Sequence, residues 1–305
     1  MEKDKLISVI IPTYKQTGNL RITIESVLSQ TYHNVEIIVV DDNNPETEER
    51  EQTEELMREY DNNPQVMYLK HEHNKNGSAA RNTGFRASKG KYIAFLDDDD
   101  YWEPEKLAKQ LNYLILHPEF DAVYCYTFLK GDAKNPNHAC EGNIAIQYLT
   151  NYVSLQTSCV LFTRKAVEGL NGFDESFNRH QDYEFLLRFF FGGFKIGCIP
   201  EYLSHKTTAG ANNTQTGENL NKLKEKFIAT FDKQFDELEK IQPGVKNKII
   251  IANYVKVFES HLAGKHYKLA FQIFIKYFLS SPVEFSRQCY ILWKNHKMRA
   301  HSRNK

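Results

Sequence analysis

Short apolar runs separated by segments of helical apolar spacing set the pattern of the amino-terminal part of the chain. Leu6–Ile11 (LISVII), rich in β-branched residues and closed by Pro12, predicts a buried first strand. Leu20, Ile24, Val27 and Leu28 fall at i, i+4, i+7 and i+8, which predicts a helix over 19–30. Val35–Val40 (VEIIVV) reads as a second strand, 46–60 as a charged helix and Val66–Leu69 as a third strand. Ser78–Ser88 reads as a helix that leads through Gly90 into a fourth apolar run, Tyr92–Leu96. Pro104 opens a helix carrying Leu107, Leu111 and Leu114. Ala122–Phe128 is a strand, the polar stretch 129–143 a loop, and residues near 144–152 a helix. A strand at Ser158–Phe162 and a turn at Gly172 precede a helix opened by His180-Gln181-Asp182 and running through Leu186, Leu187 and Phe190.

Strands alternating with helices predict an α/β fold: a Rossmann-like, mostly parallel open sheet flanked by helices. From about Asn219 the spacing is helical only. Leu220, Leu223, Phe227, Phe231 and Phe235 form one stripe, Ile249–Leu262 and Tyr267–Leu279 two more, and Pro282 opens a last segment. The division expected is therefore an α/β domain over 1–215 and an all-helical region with a basic tail over 216–305.

Composition narrows the partners. The 305 residues hold 39 Lys+Arg and 39 Asp+Glu, so no charge bias points to nucleic acid. The cysteines, Cys125, Cys140, Cys159, Cys198 and Cys289, are odd in number and form no CxxC pair. They fit reduced thiols in the cytoplasm better than a zinc knuckle or a disulfide framework. MEKDKLISVII is too short and too charged for a signal peptide, and no run reaches the roughly 18 apolar residues of a membrane span. Leu269–Leu279 comes closest and Lys276 interrupts it. The expectation is a cytoplasmic protein, bound at most to the inner face of a membrane.

The chemistry lies where the strands end. Tyr92–Leu96 stops at four consecutive carboxylates, Asp97, Asp98, Asp99 and Asp100, and Val35–Val40 stops at Asp41 and Asp42. In an open α/β sheet both sets fall at the edge where ligands bind. Four adjacent negative charges repel, and hard oxygen ligands in this number suit Mg or Mn, ions that in turn suit diphosphates. A solvated acidic loop would account for the one run. It does not account for acids ending a second strand on the same edge.

SVIIPTYKQ, VVDDNNPE, NKNGSAARNTGFRASKGKYIAFLDDDDYW and GFDESFNRHQDYEFLLR, in this order, resemble the inverting glycosyltransferases of family 2 over roughly residues 6–210. The resemblance implies the GT-A fold, a nucleotide-sugar half over about 1–100 and an acceptor half over about 101–215. It also implies transfer of a sugar from a UDP-sugar to a hydroxyl acceptor in bacterial-type surface polysaccharide synthesis. Pro12, Thr13 and Tyr14 would bring amides and a ring against the base. Asp42 would accept the uracil imide N–H, with a turn or N-cap role as the alternative. Asn74, Arg81, Asn82 and Gly84 match the family's Asn-x-Gly-x-x-x-Ala-Arg-Asn-x-Gly signature, whose first glycine is met one place late by Gly77, with Arg81 meeting phosphate or a nearby acid. Asp97 and Asp99 correspond to the Asp-x-Asp pair, Asp99 foremost as metal ligand, with Asp98 near the ribose. The ion, Mn or Mg, would neutralise charge on the leaving diphosphate. Asp182 stands where the family has its general base, and Gln181 departs from the Glu usual before it.

Two of the aromatic and imidazole positions, His205 and Trp102, have two readings each. His205 is a metal or phosphate contact, or structural; Trp102 a wall of the sugar pocket, or core; His71 and His73 read as surface residues. Arg287, Lys294, Lys297, Arg299, Arg303 and Lys305 interleave with Tyr290, Ile291, Leu292 and Trp293 without Asp or Glu. That composition suits either a peripheral contact with an anionic membrane or a solvated tail. The acceptor expected is a glycan or a lipid-linked saccharide. Other functions consistent with the motifs are transfer to a polyprenyl phosphate and non-catalytic binding of nucleotide sugar or glycan. A sugar-1-phosphate nucleotidyltransferase would want a Gly-rich loop directly after the first strand, which PTYKQTGN does not supply.

Overall fold

The computed structural model describes residues 5–15, 19–129, 133–134, 137–207 and 216–301, with backbone alone at 133–134 and 295–301. Lys297 and Arg299 therefore have no described side chains, and Arg303 and Lys305 lie outside the described residues. The strands are β1 Ile7–Thr13, β2 Val35–Asp41, β3 Val66–Lys70, β4 Tyr92–Phe95, β5 Asp100–Trp102, β6 Ala122–Leu129, β7 Ala133–Lys134, β8 Val160–Thr163 and β9 Ile196–Lys206. The helices are α1 Leu20–Leu28, α2 Glu48–Arg58, α3 Gly77–Ala87, α4 Lys106–Leu116, α5 Ala145–Leu149, α6 Arg164–Gly169 and α7 Gln181–Phe191. Four more follow: α8 Gly217–Ile241, α9 Val245–Ala263, α10 Tyr267–Ser280 and α11 Pro282–His301.

The chain forms two compact units, one of residues 1–144 and 155–209, the other of 145–154 and 210–305. Residues 145–154, expected in the first domain, belong to the second unit because α5 packs against α9. In the first unit the sheet runs β3-β2-β1-β4-β8-β6-β9-β5, with β7 paired to β6. It is parallel from β3 through β4, with β1, β2 and β3 each followed by a helix, and mixed beyond, where β8 runs antiparallel to both β4 and β6. Ile10, Ile11, Ile37, Ile38, Val39 and Val40 are fully buried, the signature of strands covered on both faces. Gly84 lets α3 sit down on that layer, since a Cβ there would come within 2.5 Å of Ile10 Cγ2. Phe95, Phe162, Phe173 and Phe185 pack edge-to-face and stacked under the carboxyl ends of the strands.

Parallel pairing places Thr13 opposite Asp41 and Phe95 beside Ile10, so β1, β2 and β4 deliver their last residues to one edge. Two elements at that edge were not apparent from the pattern. Asp100, read as the end of an acidic run, begins the three-residue strand β5, and Ile196–Lys206 forms the 11-residue strand β9. Pro200 and Glu201 interrupt the alternation in β9, and the register against β6 shifts there, as bulges do.

The second unit has its own core. Ile251, Val255, Tyr277 and Phe285 are buried, with Phe258, Phe274 and Phe278 around them. Phe227, Phe231 and Phe235, at i, i+4 and i+8 of α8, are buried as well.

Candidate active site

The turn after β2 is built around two acids with separate duties. Asp41 is fully buried and takes Tyr68 Oη at 2.6 Å, Asn43 N and Nδ2 at 2.9 Å, and the Arg50 guanidinium, whose Nε lies 3.3 Å from Oδ2. Arg50 also donates to the carbonyls of Asn43 and His71, tying the turn to α2 and to the end of β3. Asp42 receives His71 Nδ1 at 2.7 Å and Lys75 N at 2.8 Å on Oδ1, and Asn74 Nδ2 at 2.8 Å and Asn76 N at 2.9 Å on Oδ2.

A carboxylate offers about four acceptor directions, so the loop itself saturates Asp42. In this structure these four donors organise the Asn74–Asn76 loop around Asp42. His71, expected at the surface, is buried between Asp42 and the Thr83 hydroxyl, 2.9 Å from Nε2. Sequence gave no sign of this bridge, because it joins the end of one strand to the helix after the next.

That loop starts α3. Asn76, at φ 87, caps the helix by accepting from Ser78 N and Ala79 N. Asn82 accepts from Phe173 N at 2.8 Å and donates to Phe173 O and to Glu175 Oε1, which binds the signature helix to the Gly172 turn. Arg81 reaches the acids: Nη2 donates to Asp97 Oδ1 at 2.5 Å and Nη1 to Gln181 Oε1 at 2.9 Å. Gly77 is what admits Gln181, since a Cβ there would stand 2.9 Å from its Oε1.

The four acids leave β4 in a tight turn closed by Asp100 N on Asp97 O at 3.0 Å. Ser158 Oγ accepts from Asp97 N, and Thr23 Oγ1 donates to Asp100 O at 2.8 Å. Thr207 Oγ1 donates to the Asp99 carbonyl, and Tyr14 N lies 3.3 Å from Asp98 Oδ2. Thr13 also bonds Asp98, so the β1 turn and the acidic turn meet. Oxygen atoms of Asp97, Asp99 and Asp100 lie within 4.8 Å of one another.

Burial pushes Asp98 up to about 8, helped by the Asp99 and Asp97 charges, and raises Asp99 and Asp100 as well. Burial acts the same way on Asp97, but Arg81 and Lys206 outweigh it and hold that acid below the usual range. Both carboxylate oxygens of Asp100 are buried without a well-formed hydrogen bond, beside the Ser158 hydroxyl and the Lys206 charge.

Three clustered hard oxygen donors, one of them unsatisfied, fit Mg or Mn in ligand type and charge. The cluster comprises Asp97, Asp99 and Asp100.

Asp182 lies in the first turn of α7, near the Thr157 hydroxyl. Burial, then the Asp97 charge, raise its pKa, while Arg81 and Lys206 oppose the shift. One small region thus holds Asp97–Asp100, Arg81, Gln181 and Asp182.

His205 is not part of it. In the antiparallel β5–β9 pair, Asp100 stands opposite Lys206 and Tyr101 opposite His205. Directly opposed residues share a face, and neighbours alternate, so Lys206 faces the acids and His205 faces away. The His205 ring stacks on Tyr101 at 4.3 Å and Phe128 at 4.6 Å, and Nε2 lies 2.6 Å from Glu103 Oε1. Its expected metal role is corrected to a structural one, and Lys206 is the residue missed. Alternation along Leu203–Lys206 was the available signal. Trp102 is core: its Nε1 donates to Ser158 O at 2.7 Å, and the buried Lys106 ammonium sits 3.8 Å over its ring.

Residues 8–170 match the family described as Glycosyl transferase family 2. The amylovoran biosynthesis glycosyltransferase AmsB of Erwinia amylovora is 29% identical over 214 residues, 67% of this chain and 70% of that one. The UDP-Glc:alpha-D-GlcNAc-diphosphoundecaprenol beta-1,3-glucosyltransferase WfaP of Escherichia coli is 29% identical over 167 residues, 55% of this chain and 64% of that one. The crystal structure of S. aureus TarS 1-349 in complex with UDP superposes with a TM-score of 0.63 at 18% identity, covering 85% of this chain and 73% of that one. That likeness shows the fold, the GT-A arrangement with its curled mixed sheet.

Proposed function

The chain belongs to glycosyltransferase family 2 and is a glycosyltransferase; from that premise we propose that it transfers a sugar from a UDP-sugar to a hydroxyl acceptor with inversion, in the synthesis of a surface polysaccharide. The observation that carries the reading is the convergence of Asp97–Asp100, Arg81 and Asp182 at the carboxyl edge of β1, β2 and β4. The WfaP name supports a UDP-linked donor, a lipid-diphosphate-linked acceptor and a β product. The TarS complex supports UDP.

In this reading the β1 turn, Pro12 to Tyr14, and the loop that Asp42 organises receive the base and ribose, with Asp98 on the ribose side. Asp97, Asp99 and Asp100 would hold Mn or Mg, which when bound supplies positive charge to the leaving diphosphate. Arg81 keeps Asp97 ionised and oriented. Asp182, its affinity for protons raised by burial, accepts the proton of the acceptor hydroxyl as that oxygen attacks the anomeric carbon. A single displacement of this kind turns an α-linked donor into a β product. Gln181 in place of Glu leaves the base in position: its Oε1 accepts from Arg81, the hydrogen bond a glutamate would also accept, without adding charge beside Asp182.

Calorimetric titration of UDP, with and without Mn, on wild type and Asp99→Ala tests the reading. Mn should tighten UDP binding by at least tenfold, and Asp99→Ala should remove most of that gain. A folded wild type that binds UDP in neither condition would overturn the donor assignment.

A peripheral membrane contact belongs to the same proposal, and the second unit supports it. Among the described helices none is long and apolar enough to cross a membrane. On α10, however, Tyr267, Phe271, Ile275 and Leu279 form an outward ridge four residues apart, with exposures of 64%, 62%, 40% and 70%. Lys265, Lys268 and Lys276 accompany it, and no Asp or Glu occurs between Lys265 and Val283. Apolar and aromatic side chains with only positive charge around them suit an anionic lipid surface.

A further inference from the structure

We infer that Lys206 is a cation built into the donor site, balancing the acidic turn and contacting the leaving diphosphate; this rests on the reading above. Its place is set by the fold. Antiparallel pairing puts Lys206 directly across from Asp100 and on the same face, and the Thr207 hydroxyl on the Asp99 carbonyl pins this end of β9 to the acids. The Lys206 ammonium feels, in decreasing order, Asp100, Asp97, Asp182 and Asp99. It is drawn toward all of them, yet its hydrogen bond goes to Gln156 Oε1, at 3.2 Å. Gln156 thus holds the ammonium facing the carboxylates, while the Asp100 oxygens remain buried without a well-formed hydrogen bond.

This arrangement differs from a structural salt bridge, in which cation and acid satisfy each other. Arg81 and Asp97 already form such a bridge at this site. Lys206 instead offers an ammonium whose donors suit a phosphate oxygen. When the bond between the anomeric carbon and the diphosphate oxygen breaks, its electron pair stays on the diphosphate. The acceptor oxygen makes the new bond to carbon, and its proton passes to Asp182. Lys206 meets the charge that grows on the diphosphate at a fixed position, without reorganisation during the reaction.

The two roles make opposite demands on a divalent ion. A fixed positive charge close to Asp97, Asp99 and Asp100 weakens their hold on Mn, yet favours a diphosphate even without metal. Lys206→Met should therefore tighten Mn binding to the nucleotide-free protein, followed by electron paramagnetic resonance. It should at the same time weaken UDP binding measured in EDTA. Each change should be roughly tenfold, the order expected of one charge at several Å in an effective dielectric near 20. Lys206→Arg should stay near wild type in both.

A merely structural lysine would lower both affinities together, with a lower melting temperature. That outcome, or Mn affinity unchanged in a folded variant, would overturn the inference. If Lys206→Met does not fold, Lys206→Gln carries the same two measurements. A wild type that binds Mn but no UDP in any condition would overturn the donor reading and the diphosphate contact with it. Wild-type UDP binding in EDTA that the substitution leaves unchanged would overturn Lys206 alone.

Discussion

At the scale of single residues, position within a hydrogen-bond network decides what each carboxylate does. Asp42 and Asp182 are both acids near the sheet edge. Asp42 is saturated by four donors of one loop, whereas Asp182 is buried beside the Asp97 charge, which raises its pKa. Only a carboxyl of the second kind is a strong proton acceptor at its working pH. A base must be ionised, so a raised pKa moves the acid limb of activity upward. kcat/KM should fall on acidification at a pH above the ordinary carboxylate range of about 4. Asp182→Asn should abolish that limb and cost about 100- to 10,000-fold in kcat, with UDP affinity within a few-fold of wild type. A limb retained in Asp182→Asn would assign the base elsewhere.

At the scale of elements, two strand pairings and one helix face matter most. β5 against β9 selects which of two adjacent residues, His205 or Lys206, enters the site, because a strand alternates its faces. The ridge on α10 makes its own prediction. Full-length protein should co-sediment with vesicles containing anionic phosphatidylglycerol and much less with neutral ones, the difference shrinking in high salt. Phe271→Glu with Leu279→Glu should remove the binding, whereas truncation after Ser281 should keep most of it, since the ridge lies upstream. Equal binding by wild type and the double variant would exclude the membrane contact. Loss of a dimer in the same variant would assign the ridge to self-association.

At the scale of the whole molecule, the acidic turn makes stability depend on pH. Asp98 at about 8, with Asp99 and Asp100 also raised, means the folded protein holds protons that the unfolded chain has already released. Stability contributed by such groups falls as pH rises from the ordinary carboxylate range through the folded pKa. In EDTA the melting temperature should therefore drop between about pH 5 and pH 8, Asp98→Asn should flatten the drop, and Mn should restore stability most at the upper end. A melting temperature insensitive to Mn at pH 8 would contradict this.

By itself the sequence determined the alternation of strands and helices, the acids at the ends of β2 and β4, and the family motifs. Each of these is local: a run of apolar residues, a helical period or a contiguous motif carries its own signal. The helical stripes of 216–305 were legible for the same reason, as was Asp182 at the start of its helix. Tertiary structure alone decided the rest. That Asp42 belongs to its loop, that His71 is buried against Thr83, and that Gln156 holds Lys206 all depend on contacts between residues far apart in the chain. The far edge of the sheet and the facing of Lys206 depend on β5 and β9, one three residues long and the other interrupted by Pro200. Such strands are specified by the partners they pair with rather than by their own pattern.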